Sequence, residues 1–316
     1  MKRTRLFTLL MVGLIFFENP VAAGDFEYPV RTIENMFYTD SLRILQPQPI
    51  RYNADDARRA LLVDSSDFML KAKIKPAAEG GKAYNNEPRL ELAAYILQKM
   101  FLDSSEYVVP PTAIRAFTPQ QFNGVNPEVQ QTFTGSPLIF CTLQYWLPAI
   151  SDKNVYNEKR LRRDSLYAYH WGNLNAFTYI IHHNDGNIGN VVVSTDSLSP
   201  HVYAVDNGIS FDAPESRRGS GWRDLRLQHL PRKTFERLQE ITLQDLEDQL
   251  AVCAQFDLGS GDGRPVSPTP VIDPYRGVRV EGDTVQFGLT KNEIRHLHER
   301  IRYLIRLVED GEIGLF

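Results

Sequence analysis

Cysteine is nearly absent from this chain of 316 residues, where only Cys141 and Cys253 are found. Two thiols exclude the disulfide framework of a small secreted scaffold. Each lies in an apolar stretch, PLIFCTLQYW and the helix-like QLAVCAQF, so two separately buried thiols are expected in place of a bridge. Positive charge is not in excess either: 35 Lys and Arg stand against 39 Asp and Glu. That balance excludes a dedicated nucleic-acid binder, which would be basic over its whole domain. No Asn-x-Ser or Asn-x-Thr sequence occurs, which leans towards a bacterial periplasm over a eukaryotic lumen. Neither HxxxH nor HExxH is present, so zinc lacks its usual ligand spacing. No internal repeat is visible.

What is present is ordinary globular material, 42% hydrophobic and 23% charged, enough for a sizeable core in one two-lobed domain or two small ones. The first residues stand apart. MKRTRLFTLLMVGLIFFENPVAAGD combines three basic residues, an apolar run from Leu6 to Phe17, and Val21-Ala22-Ala23 before Gly24, the pattern of a secretory signal peptide. The run is shorter than the roughly 20 apolar residues of a membrane span, so an exported protein beginning at Gly24, periplasmic or secreted and without a stable span, is expected. Its charge would be −6, since residues 1 to 23 remove three basic residues and one glutamate from a total of −4.

Residues 25 to 60 give little periodic signal. DFMLKAKIKP, Asp67 to Pro76, alternates apolar and basic residues as a half-exposed strand does. RLELAAYILQKMF then reads as a helix with Leu90, Ala94, Leu97 and Phe101 on one face. YVVPPTAIRAF reads as a strand interrupted by Pro110 and Pro111, and SPLIFCTLQYWLPAI as another. The second half is different in character. A long apolar helix is expected over Leu166 to Ile181, a hairpin from NVVVS and HVYAVD around TDSLSP, one or two helices over KTFERLQEITLQDLEDQLAVCAQF, and a last helix over Lys291 to Asp310. LGSGDGRPVSPTPVIDPYRG has the composition of an inserted loop.

Between the apolar helix and the hairpin lies IIHHNDGNIGNVVV, Ile180 to Val193. A helix, a polar loop and a hairpin ending in Asp206 would gather Asp185, Asn190 and Asp206 at one mouth. Two carboxylates and an amide oxygen suit magnesium or manganese. Taken alone, Asn184-Asp185-Gly186 reads more simply as a helix stop and turn, and the adjacent His182 and His183 diverge. The spacing adds information. In phosphoryl transfer a loop Asp accepts the hydroxyl proton, an Asn five positions later binds metal, and an Asp after the next hairpin holds the metal that bridges the phosphates. Such a site also needs a strand Lys and a helix carboxylate. Lys71, Lys73 and Lys75 share one side of their strand, and Glu91 lies in the helix that follows.

With these residues in order, the sequence resembles the atypical kinases of the protein-kinase-like fold, a group embracing the phosphatidylinositol 3/4-kinases, the HipA-type kinases and the secretory-pathway kinases of the Golgi lumen. IKP at Ile74 to Pro76 resembles their Lys strand. RLELAAYILQKMFLDSSEYVVPPTAIR is similar to their helix and next strand, IIHHNDGNIGNVVV to their catalytic loop, and VDNGISF to their Asp-Asn-Gly metal motif. The resemblance covers roughly Asp67 to Phe211. It implies an α+β bilobal fold: a signal peptide over 1–23, a strand-rich N-lobe over 24–150 carrying the Lys strand and Glu helix, and a helix-rich C-lobe over 151–316 carrying the catalytic loop and metal motif.

Position by position, the resemblance implies Lys75 for the ATP phosphates, Glu91 as its ion-pair partner, Asp185 as catalytic base, and Asn190 and Asp206 as ligands of Mg2+ or Mn2+. Glu87 is a second candidate for the pair and Lys73 for the phosphates. Two departures stand out. Gly186 and Asn187 occupy positions where the group has Arg and His, and RYNADDARRALLVDSSDF, before the Lys strand, contains no glycine for a phosphate-wrapping loop. The expected activity is ATP-dependent phosphotransfer to an unknown protein, glycan or lipid acceptor. A pseudokinase that binds without turnover, or AMP transfer on the same fold, is the alternative. SRRGSGWRDLRLQHLPRK follows the metal Asp, and its Arg217, Arg218, Arg223 and Arg226 would either hold an acidic partner or form a solvated face.

Overall fold

A computed structural model describes residues 26–50, 56–196, 198–259, 261 and 263–316; the signal peptide expected over 1–23 lies outside them. The N-terminal half opens with helix α1 (Val30–Tyr38), which buries Val30, Ile33, Met36 and Phe37. It continues through strands β1 (Arg43–Pro49), β2 (Arg58–Val63) and β3 (Met69–Pro76), helix α2 (Pro88–Gln98), strand β4 (Thr112–Phe117), the short helix α3 (Pro119–Asn123) and strand β5 (Ile139–Tyr145). The five strands form one antiparallel sheet in the order β1-β2-β3-β5-β4. β1 contains Pro47 and Pro49 and a bulge between Leu45 and Gln48. Proline removes a ladder donor, so such a segment fits only the sheet's edge. Pro110 and Pro111 precede β4 and do not interrupt it, because the strand begins at Thr112.

α2 begins with Pro88 at its first turn and ends at Gln98, three residues short of Phe101. Its apolar face is not a stripe. Ten of its eleven residues are buried, so the helix is enclosed on nearly all sides and Glu91 must find its partners inside the protein.

The C-terminal half starts with β6 (Ile150–Ser151), the one-turn helix α4 (Glu158–Leu161) and the long helix α5 (Ser165–Ile180). Asp164 caps α5 by accepting from the Tyr167 amide at 2.9 Å, a contact worth about 1 kcal/mol. The hairpin β7 (Val191–Ser194) and β8 (Val202–Ala204) follows, with β6 on its edge. β9 (His229–Leu230) pairs in parallel with β13 (Gly314–Leu315). Helices α6 (Arg232–Glu240) and α7 (Leu243–Leu250) are two short helices over the stretch expected to hold one or two, and they end before Cys253. The last helix α8 (Lys291–Glu309) buries Ile294, Leu297, Ile301, Leu304 and Ile305 along one stripe.

The segment read as a helix end is extended instead, whereas the stretch read as an inserted loop, 258–277, has no helix or strand among its described residues. Ala254–Asp257 is strand β10, and with β11 (Val278–Glu281) and β12 (Thr284–Phe287) it makes a three-stranded sheet in the order β10-β12-β11. This sheet packs back on the N-terminal one. Phe140 of β5 meets Phe256 with ring centroids 5.0 Å apart and Phe287 at 5.6 Å, and the Ala116 amide donates to the Gly263 carbonyl at 3.0 Å. Cys141 and Cys253 are free thiols, the first fully enclosed in the sheet.

α2 and α8 are joined by one buried side chain. The Arg89 guanidinium donates to both carboxylate oxygens of Glu293 at 2.8 and 3.0 Å and to Glu87 at 2.6 Å. Glu293 also closes the capping box of α8 by accepting from the Thr290 amide at 2.7 Å. The geometry is bidentate and the pair is largely shielded from solvent, the arrangement in which an ion pair is strongest.

Candidate active site

β3 carries the lysines inward from solvent. Lys71 is exposed, Lys73 half-buried and Lys75 buried, all on one face by the period of the strand. The Lys73 ammonium lies 3.2 Å from Asp206 Oδ2, and that of Lys75 lies 3.9 Å from Asp206 Oδ1 while donating to the Asn85 carbonyl at 2.6 Å. Burial alone would raise the Asp206 carboxyl, but the charges of Lys73 and Lys75 reverse this and hold it well below the usual carboxylate range.

Glu91 comes to the same point from α2. Its Oε2 accepts the Asn207 amide at 2.9 Å, and its carboxyl is close enough to that of Asp206 for the two to shift each other. Burial, then the Asp206 charge, push Glu91 up to about 7 against the opposing pull of Lys73 and Lys75. Two neighbouring carboxyl groups share a site only with a proton or positive charge between them, which here comes in part from Lys73 and Lys75. Asp206 Oδ1 and the neighbouring Asn207 Oδ1 are buried without a hydrogen-bond partner among the described residues. Orphaned oxygens of this kind beside a second carboxyl fit a divalent cation. Glu87, the second candidate for the Lys pair, is held by Arg89 at the start of α2 instead.

The catalytic-loop candidates lie on the C-terminal side. α5 ends at Ile180 and the chain reverses through His182, whose φ of 54° is left-handed. Backbone bonds stitch this loop to the Asp-Asn-Gly segment: Asn184 N to Ile209 O at 2.8 Å and Phe211 N to Ile181 O at 2.7 Å. Asp185 is 5% exposed. Its Oδ2 accepts from Asn190 Nδ2 at 2.9 Å, which leaves the Asn190 amide oxygen for a metal. Its Oδ1 accepts from the Ser216 hydroxyl at 2.8 Å and the Asn187 amide at 3.2 Å.

Two residues overlooked in the sequence complete the frame. His183 is fully buried, and its Nε2 meets the Asp206 carbonyl at 2.9 Å. Burial lowers its pKa and keeps it neutral; a neutral ring that gives Nε2–H to a carbonyl presents Nδ1 as an acceptor towards the Asp185 amide, 3.5 Å away. One imidazole therefore ties the candidate base to the candidate metal ligand. Ser216 is the other, in the segment that begins SRRGSGW. That segment folds over the loop: the Ser216 amide donates to Asn184 O at 2.8 Å, Gly186 N to Gly219 O at 2.6 Å, and Trp222 Nε1 to Asn187 O at 3.2 Å. Arg223 reaches Asn184 and Glu215, and Arg226 lies over the Tyr156 ring, whereas Arg217 and Arg218 are exposed.

This strap explains Gly186. A Cβ there would lie 2.7 Å from the Arg218 carbonyl oxygen and 3.0 Å from that of Gly219. An arginine has no room where the strap takes the space. Among the described residues no three His, Cys, Asp or Glu side chains form a metal cluster, and no helix is long and apolar enough to cross a membrane.

No protein-family model and no curated protein sequence matches the chain. Solved structures do. The chain is similar to a hydra Fam20 structure with sugar, at a TM-score of 0.55 and 15% identity over 92% of this chain and 93% of that one. It is also similar to the Golgi casein kinase, at 0.50 and 14% over 88% and 74%, and to that kinase with Mn/ADP bound, at 0.52 and 12% over 91% and 78%. The fold is the bilobal kinase-like α+β fold of these secretory-pathway proteins.

Proposed function

We propose that the protein is an exported phosphotransferase that moves the γ-phosphate of ATP to an acceptor hydroxyl with the help of Mg2+ or Mn2+. The observation that carries this reading is Asp206 Oδ1, buried without a hydrogen bond among the described residues, 3.9 Å from the Lys75 ammonium and near the Glu91 carboxyl. A divalent ion, when bound, bridges phosphate oxygens and offsets the charge that develops in transfer. Asp206, the Asn190 amide oxygen and the Glu91 carboxyl would supply its donors, and Lys75 would hold the phosphates. Asp185 would take the proton of the acceptor hydroxyl at Oδ1, the atom now bonded to Ser216, so the acceptor must displace that hydroxyl. One of the similar proteins is described with sugar, which puts glycans first among protein, glycan and lipid acceptors to be tried.

The test is transfer or hydrolysis of labelled ATP phosphate by purified protein with Mn2+ or Mg2+. Activity that Asp206→Ala abolishes supports the reading; no turnover, or a variant equal to the wild type, overturns it. The buried Asp185, with both oxygens engaged, favours one second reading: a pseudokinase that binds nucleotide without turnover. Metal-dependent stabilisation by ATP with no turnover over broad acceptors would establish that instead. A mass gain of about 329 Da on self-labelled protein, in place of about 80 Da, would show AMP transfer on the same fold.

A further inference from the structure

Lys73 is the residue whose position the catalytic scheme above leaves unexplained. It stands two places before Lys75 on β3, so the pleat directs both ammonium groups to the same face. Its Nζ is closer to Asp206 than that of Lys75, at 3.2 Å against 3.9 Å, and its side chain is only 14% exposed. In register it faces Arg59 on β2. Like charges opposite each other weaken a sheet, so the placement carries a cost that solvent-facing alternation does not require.

The chain also lacks what normally surrounds a nucleotide's phosphates. No glycine occurs between Gly24 and Gly80, so no flexible turn before β3 can bring a row of backbone amides against an anion. The first glycine pair after β3 does not substitute. The Gly80 amide is used by the Thr132 carbonyl at 2.7 Å, and a Cβ on Gly81 would meet Phe133 and Phe287 at 3.2 and 3.3 Å. A triphosphate in this cleft therefore needs positive charge from side chains.

We propose that Lys73 is a second phosphate-binding cation, standing in for the amides of a glycine-rich loop, and that without nucleotide it rests on the metal-binding Asp206. This rests on the nucleotide-binding part of the preceding reading. When a divalent ion is held by the carboxyls, Lys73 is released towards the phosphates, and both lysines then face the same anion. Without nucleotide, Lys73 and the metal compete for one carboxylate.

That competition gives two effects of opposite sign. In the mature chain, Lys73→Gln should weaken Mn·ADP binding by about 10- to 100-fold, the loss of one charge-assisted contact. The same variant should tighten binding of Mn2+ alone severalfold. Lys73→Arg should recover most of the Mn·ADP affinity, and Lys71→Gln, on the exposed end of the same face, should leave both within twofold. Calorimetry measures the nucleotide complex and electron paramagnetic resonance the free metal. A Lys73→Gln protein that binds Mn·ADP like the wild type, or loses both affinities together, overturns the proposal. A wild type that binds no nucleotide at all overturns the kinase-like reading and this inference with it, so the two failures are distinguishable.

Discussion

Gly186→Ala, a single added methyl group, should damage this protein more than its size suggests. The methyl would lie 2.7 Å from one backbone oxygen and 3.0 Å from the next, on Arg218 and Gly219. Neither is the end of a flexible side chain, so the strap itself must move. Overpacking of this kind costs about 1–3 kcal/mol, and losing the Gly186–Gly219 hydrogen bond of 2.6 Å adds about 1 kcal/mol. The expected loss is roughly 2–4 kcal/mol by urea unfolding. Gly186→Arg, which installs the residue found in the resembling kinases, should be worse. Proteolysis should then cut after Arg217 or Arg218 as the strap lifts. An alanine variant within about 0.5 kcal/mol of the wild type would refute the account of why glycine stands there.

Other consequences follow from the buried charges. Glu91 has a folded pKa of about 7 against an ordinary 4.5, so metal-free folded protein keeps a proton that the unfolded chain releases. Its stability should therefore fall as pH rises from 4.5 to about 7. Glu91→Gln removes that slope, and its advantage over the wild type in EDTA should grow across the window to roughly 3 kcal/mol; parallel curves would contradict it. His183→Ala strands the Asp206 carbonyl and should cost at least 1–3 kcal/mol, clearly more than His182→Ala at its half-exposed site; equal losses in chemical denaturation would dismiss the buried link. Glu293→Ala leaves the Arg89 guanidinium buried with Glu87 as its remaining counter-charge, a loss of about 3 kcal/mol, the low end for a broken buried pair, whereas a change below about 1 kcal/mol would show the pair to be ornamental.

The legible parts of the sequence were those where one period or one spacing dominated. The stripe from Ile294 to Ile305 gave α8, and the alternation of Lys71, Lys73 and Lys75 gave β3. Of the ordered set Lys75, Glu91, Asp185, Asn190 and Asp206, the structure brings Lys75 and Glu91 to Asp206 and Asn190 to Asp185. β1 escaped notice because edge prolines and a bulge break its alternation. β10 was hidden because Cys253 and Phe256 continue a helical apolar spacing past Leu250, whereas pairing with β12 and packing on Phe140 hold the segment extended. His183 and Ser216 carry no periodic signal; their roles exist only through contacts across 23 and 31 residues of chain.

The Arg89–Glu293 pair limits how such a molecule could be controlled. Many kinases are switched by swinging the Glu-bearing helix into and out of place. Here Arg89, two residues before Glu91, is fastened to the first turn of the last long helix, and Gly277, just before β11, packs against its guanidinium. The lever is bolted at its working end. As the phosphotransferase proposed above, such a protein would be a constant device, its output set by how much nucleotide, metal and acceptor arrive and by whether Ser216 has been moved off Asp185.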